Sequence, residues 1–248
     1  MNRNLWLAGK LVACLSAIGG YLYSNAMTPE QQADRVQNAR ERAGAAVKQL
    51  CADAGLKYPL QRVFFRAIKD ERVLEVWGAD SGRSKFKLIY TYPIAAMSGK
   101  LGPKRKEGDL QVPEGFYHID RFNPKSRFLL SLGLNYPNAS DRILSDKKKP
   151  GGDIFIHGNA VSIGCMAMTD AKIEEIYLLA LSARDSGQAK IPVHVFPFRM
   201  TADKLAANRG SAHFGFWESL KPAFDTFQAY KQVPSIRVGS DGKYSLAK

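Results

Sequence analysis

The stretch His157-Gly158-Asn159-Ala160-Val161-Ser162-Ile163-Gly164-Cys165-Met166-Ala167-Met168 decides how this chain is read. A histidine follows the short apolar run Ile154-Phe155-Ile156, and a cysteine sits in a glycine-containing turn just ahead of a helical pattern. Cysteine chemistry needs a thiolate, and a nearby imidazole supplies it by taking the proton. The imidazole must itself be held in one tautomer by a third group. No acidic residue lies between His157 and Cys165, so a backbone carbonyl near Gly158 is the candidate. Gly164 allows a tight bend, which would let N–H groups around Cys165 face a developing oxyanion. The plainer alternative is a structural cysteine beside a glycine and a hydrogen-bonded core histidine, and spacing alone does not separate the two.

Downstream, Thr169 or Asp170 can cap a helix through about Arg184, with Ile173, Ile176, Tyr177 and Ala180 on one face. Ile191 to Phe196 returns as a strand, 203–231 is helical in part, and 238–245 forms a hairpin around Asp241-Gly242. Upstream, Val63–Ile68 and Arg72–Trp77 flank Lys69-Asp70-Glu71 as a hairpin, and Phe86–Tyr92 is a third strand. The glycine- and proline-rich 98–115 segment is a long structured loop, followed by strands at 116–119 and 128–132. Thr28-Pro29-Glu30-Gln31 opens an amphipathic helix that Gly55 ends, with Cys51 as a small buried residue on it. The predicted fold class is α+β, mainly β, with an N-terminal helix and a C-terminal helical and hairpin extension. Its divisions are 1–26, 27–60, 61–198 and 199–248.

The first 26 residues read as a secretory signal: Arg3 and Lys10, an apolar run from Leu11 to Tyr23, then small residues at Ser24 and Ala26. An uncleaved signal anchor, or a lipoprotein site at Cys14, would use the same stretch. The run is short for a membrane span, so no stable span is expected after processing. Export to the periplasm would leave Cys51 and Cys165, too few for a disulfide framework. The four histidines are scattered singly and there is no C-x-x-C, so neither a metal nor another cofactor is expected. A net charge of +13 implies an anionic partner or a plain solvated surface. Nucleic acid is disfavoured by the export signal and by the lack of interleaved basic and aromatic residues on one strand.

His157-Gly158 followed by Ser162-x-Gly164-Cys165-x-x-Met168 resembles the active-site motif of the L,D-transpeptidase (YkuD-type) catalytic domain. Tyr92-Pro93-Ile94, Ser98 to Lys104, Glu107-Gly108-Asp109 and Pro113 to Tyr117 are similar to that family's upstream strand and loop. Asn123-Pro124-x-Ser126 and Ser131 to Asn138 resemble its YafK-like branch. The resemblance covers about 61–198 and implies a β-sandwich-like core acting on peptidoglycan stem peptides at meso-diaminopimelate. It implies Cys165 as nucleophile, His157 as base and later acid, Gly158 orienting it, Gly164 and Cys165 backbone as oxyanion site, and Ser162 supporting the loop. Two features depart from the better-known members: the interval of eight from histidine to cysteine is shorter, and Ala167 stands where they carry arginine. Both are shared with the YafK-like branch, which includes an amidase releasing murein lipoprotein. Three functions follow as expectations: an amidase detaching a peptidoglycan-linked lipoprotein, a transpeptidase, or a non-catalytic peptidoglycan-binding module.

Overall fold

The hairpin read at 63–77 forms as expected, and the rest of the sheet is built outward from it. In the computed structural model, which describes residues 29–247, β1 (Arg62–Ile68) and β2 (Val73–Ala79) pair antiparallel, and β3 (Lys87–Pro93) adds to β2. On its other side β1 pairs parallel with β8 (Pro192–Phe196), which pairs antiparallel with β4 (Gly115–Asn123). The order then continues through β5 (Ser131–Leu134), β6 (Phe155–His157) and β7 (Met166–Ala167). The signal stretch at 1–26, Cys14 and the expected Thr28 cap lie outside the described residues.

The β4 strand belongs to both halves of this eight-stranded sheet. Residues 115–118 pair with β8, and after a register shift at Asp120 residues 121–123 pair with β5. Such a bulge adds bend and twist, and the sheet curls. Ala167 of β7 then bonds Ala95 and Ala96, directly after β3, so the two ends of the sheet approach each other. The two expected layers are therefore parts of one continuous sheet.

Inside the curl lies α3 (Asp170–Asp185), buried from Ile176 through Ala183 on every side rather than on one face. A helix that is apolar all round belongs in a core. It packs against β1, β5, β6 and α1 (Pro29–Asp53), whose Ala39, Ala43, Val47 and Cys51 close the open side. On the opposite face of the β1–β2–β8 half, α5 (Phe214–Tyr230) buries Trp217, Leu220, Phe224 and Phe227. Helices on both faces explain why β1 and β2 are buried almost throughout instead of alternating.

Two local expectations differ from the structure, and one helix was not expected. Leu129 has φ +65, so 128–130 forms a turn and the strand begins at Ser131. Thr169 has φ +72 and makes no side-chain cap to α3. A short helix, α2 (Ala139–Leu144), closes with a capping box between Asn138 and Asp141, a pattern the sequence reading passed over. The C-terminal residues form α4 (Ala202–Ala207), α5 and the hairpin of β9 (Ile236–Val238) and β10 (Tyr244–Leu246).

Candidate active site

β6 and β7 run parallel, with His157 opposite Ala167 and Ile156 opposite Met166. Extending that register by one residue sets Cys165 beside Phe155. Because directly paired residues share a face, Phe155, His157, Cys165 and Ala167 all lie on the face away from Ile156 and Met166, which enter the core. The eight-residue step between histidine and cysteine is thus a short crossover between neighbouring strands, and it brings both side chains to one cleft.

His157 is buried, and its Nδ1 lies 2.6 Å from the Gly158 carbonyl oxygen. A carbonyl only accepts, so Nδ1 carries the proton and Nε2 is left as the acceptor. The ring stacks on Phe128, with centroids 4.5 Å apart. Burial pulls the imidazole below its ordinary pKa, with the Gly158 bond opposing, so the ring is a neutral base near pH 7. Its backing is tied down twice. Gly158 N–H donates to the Phe128 and Leu130 carbonyls, and Arg35 of α1 donates to those of Ser126 and Leu129. A Cβ on Gly158 would stand 2.6 Å from the Phe128 carbonyl oxygen and 2.5 Å from Asp170 Oδ1, so only glycine fits.

Cys165 is partly exposed, and its thiol donates to the Asp153 carbonyl at 3.6 Å rather than to the imidazole. Burial raises the thiol above its ordinary range, while the Phe155 amide and Lys104 pull the other way, so it rests protonated. Gly164 takes φ +125, which favours glycine. Ser162 Oγ accepts from the Gly164 and Cys165 N–H groups at 3.2 and 3.1 Å and donates to the Cys165 carbonyl at 2.7 Å. These N–H groups therefore turn inward onto Ser162, and the oxyanion role expected of them does not fit this resting geometry. The loop-supporting contacts of Ser162 are direct.

One wall of the cleft is the 98–114 loop. Ser98 Oγ lies 3.3 Å from Ser162 Oγ, and Lys104 is buried against Asp109 at 2.6 Å. Glu114 is fully buried: Oε1 accepts from Lys69 at 2.8 Å and from Gly102 N at 2.7 Å, and Oε2 accepts from Trp217 at 2.7 Å. It is a structural hub. Tyr92, Tyr117 and His194 are core residues; three phenylalanine rings surround His194. Lys147 caps the carbonyls of α2. Two contributors carry no sequence signal, Asp153 and Arg121, and a third, Asp170, expected only as a helix cap, accepts the Asn159 N–H at 2.7 Å. Arg121 is placed by strand register, and Asp153 and Asp170 by their contacts with Cys165 and Asn159. Among the described residues, no group of three or more His, Cys, Asp or Glu side chains gathers as a metal site, and no helix is long and apolar enough to cross a membrane.

Fold and cleft together define a class: an α+β domain in which a histidine and a cysteine, from adjacent rows of two parallel strands, share one face of a curled sheet. The model of the L,D-transpeptidase catalytic domain (YkuD) matches residues 63–195. The chain is 37% identical over 188 residues to YafK of Escherichia coli (strain K12), a protein assigned by name to the L,D-transpeptidases. That match covers 75% of this chain and 74% of the relative. This protein therefore belongs to the L,D-transpeptidase (YkuD) family. Among solved structures, a mutant form of the helical cell shape determining protein Pgp2 from Campylobacter jejuni aligns with TM-score 0.45 and 23% identity, over 67% of this chain and 57% of that one. Bd1075 of Bdellovibrio bacteriovorus aligns with TM-score 0.40 and 24% identity, over 56% and 49%.

Proposed function

We propose that this protein is an exported cysteine enzyme that hydrolyses the bond between peptidoglycan and a covalently attached protein, at meso-diaminopimelate. The observation that carries the reading is the imidazole fixed by Gly158, with Nε2 free to accept, on the same cleft face as Cys165. Family membership supplies the substrate class, and the residue 1–26 pattern supplies export to the periplasm.

The chemistry follows from a neutral resting pair. Cys165 leaves the Asp153 carbonyl, and its proton passes to His157 Nε2 as sulfur attacks the diaminopimelate carbonyl carbon. The tetrahedral adduct collapses by expelling the amine of the attached protein, which takes that proton from His157. A thioester remains on Cys165. Water, deprotonated by the same imidazole, attacks it and restores the thiol. Gly158, Gly164 and Ser162 act by holding this geometry. No step calls for a metal or another cofactor.

The short crossover favours hydrolysis. Val161 and Ile163 are 53% and 81% exposed in this short crossover, which leaves room for a bulky protein-linked substrate and water to approach. The family's name favours the second reading, transpeptidation, in which an amine replaces that water. Sacculi carrying attached lipoprotein, treated with the purified protein, are expected to release the lipoprotein and leave free tripeptide stems. Cross-linked dimers as the only products would overturn hydrolysis in favour of transpeptidation. Binding to sacculi without any product would make the protein a peptidoglycan-binding module.

A further inference from the structure

Ala167, fully buried and paired with His157, holds the strand position where better-known relatives carry an arginine. A different cation shares the row of Cys165. Arg121 of β4 pairs with Gly133 of β5, Gly133 pairs with Phe155 of β6, and Phe155 stands beside Cys165. Arg121, Gly133, Phe155 and Cys165 therefore form one row across four strands, on one face. The adjacent row is Asn123, Ser131, His157 and Ala167.

Gly133 is what allows Arg121 to reach along its row. A Cβ there would lie 2.8 Å from Asp120 Oδ1, 3.1 Å from Arg121 Cβ and 3.3 Å from Arg121 Nε, so the Arg121 side chain lies over the glycine with the Asp120 carboxylate beside it. The guanidinium carbon ends 4.8 Å from the centre of the Phe155 ring. Its Nη2 meets Asp153 Oδ1 at 3.0 Å, and the carbonyl of that same Asp153 holds the Cys165 thiol.

Lys104, which acts on the thiol, and Arg121, which shares its row, differ in availability. Lys104 is 5% exposed and fastened to Asp109 and to the Lys106 carbonyl. Arg121 and its Asp153 partner are 52% and 81% exposed, a solvated pair that another carboxylate can exchange into. A planar guanidinium laid on an aromatic face still offers its N–H fork to a carboxylate.

We propose that Arg121 is the carboxylate-binding residue of this cleft: it takes the second, unreacted carboxylate of diaminopimelate by displacing Asp153, and so seats the reacting carbonyl over Cys165. Arg121 thus supplies, from a different strand and the adjacent row, a cation that Ala167 cannot. The assignment rests on the peptidoglycan reading of the site.

Binding without turnover tests it. In a Cys165→Ala protein, a stem tripeptide ending in meso-diaminopimelate is titrated by calorimetry against the same peptide with that carboxylate amidated. The free acid is expected to bind about 10-fold or more tightly than the amide, as a charge-assisted bidentate contact requires. Adding Arg121→Gln should collapse the difference to within about 2-fold. A thermal melt matching the parent shows that the Arg121 variant is folded, since the residue is exposed. Discrimination that survives Arg121→Gln overturns the assignment while leaving the peptidoglycan reading intact. Failure of the parent to bind either peptide overturns both.

Discussion

Replacing His157 by glutamine is expected to lower kcat/KM for release of attached protein about 10³-fold, within the range for loss of a positioned general base. The thiol rests protonated and is bonded to Asp153, so little thiolate exists without a base to form it. The pH dependence gives an independent check. Burial depresses the imidazole, and only its neutral form accepts the thiol proton. Activity is therefore present above that lowered pKa and is lost as pH falls through it, which puts the acid limb below the ordinary histidine value of about 6.5. In His157→Gln that limb should vanish, and the residual rate should climb with the alkaline ionisation of the thiol. A variant with the wild-type rate and profile would remove His157 from the mechanism.

The second large effect is on stability. Glu114→Ala removes the counter-ion of the buried Lys69 and also leaves the Gly102 N–H and the Trp217 indole N–H without their acceptor. Breaking one partner of a buried ion pair costs about 3–5 kcal/mol, which lowers Tm by on the order of 10 °C in a chain of this size. The loss should spread to activity, because Gly102 belongs to the loop that walls the cleft. Glu114→Gln keeps the shape and an acceptor oxygen but not the charge, and should fall between. A Glu114→Ala melt equal to wild type, followed by circular dichroism, would show that the hub carries no load.

The parts of the fold legible in the sequence were those set by local pattern. The 63–77 hairpin, the helix after Met168 and the hairpin at Asp241-Gly242 follow from alternation, helical spacing and turn residues. Left-handed residues were not legible: Leu129 and Thr169 carry no local mark of positive φ, and they displaced a strand start and a helix cap. The curl of the sheet was hidden too, since it depends on a bulge at Asp120 and on Ala95 and Ala96 meeting Ala167. The site divides in the same way. His157, Gly158, Ser162, Gly164 and Cys165 fall within nine residues and read together. Arg121 and Asp153 join them only through the pairing of β4, β5 and β6, and long-range register has no signal in local spacing. The inward turn of the Gly164 and Cys165 N–H groups was equally invisible, because it depends on which way the Ser162 hydroxyl points.

The central claim is a thioester on Cys165, and intact-mass spectrometry of the protein quenched in acid during turnover of lipoprotein-linked muropeptide tests it most directly. The account expects a mass increase equal to the acyl portion of the stem, located on Cys165, removed by hydroxylamine and absent from Cys165→Ala. Release of the attached protein with no adduct on wild type, or release undiminished in Cys165→Ala, would contradict it.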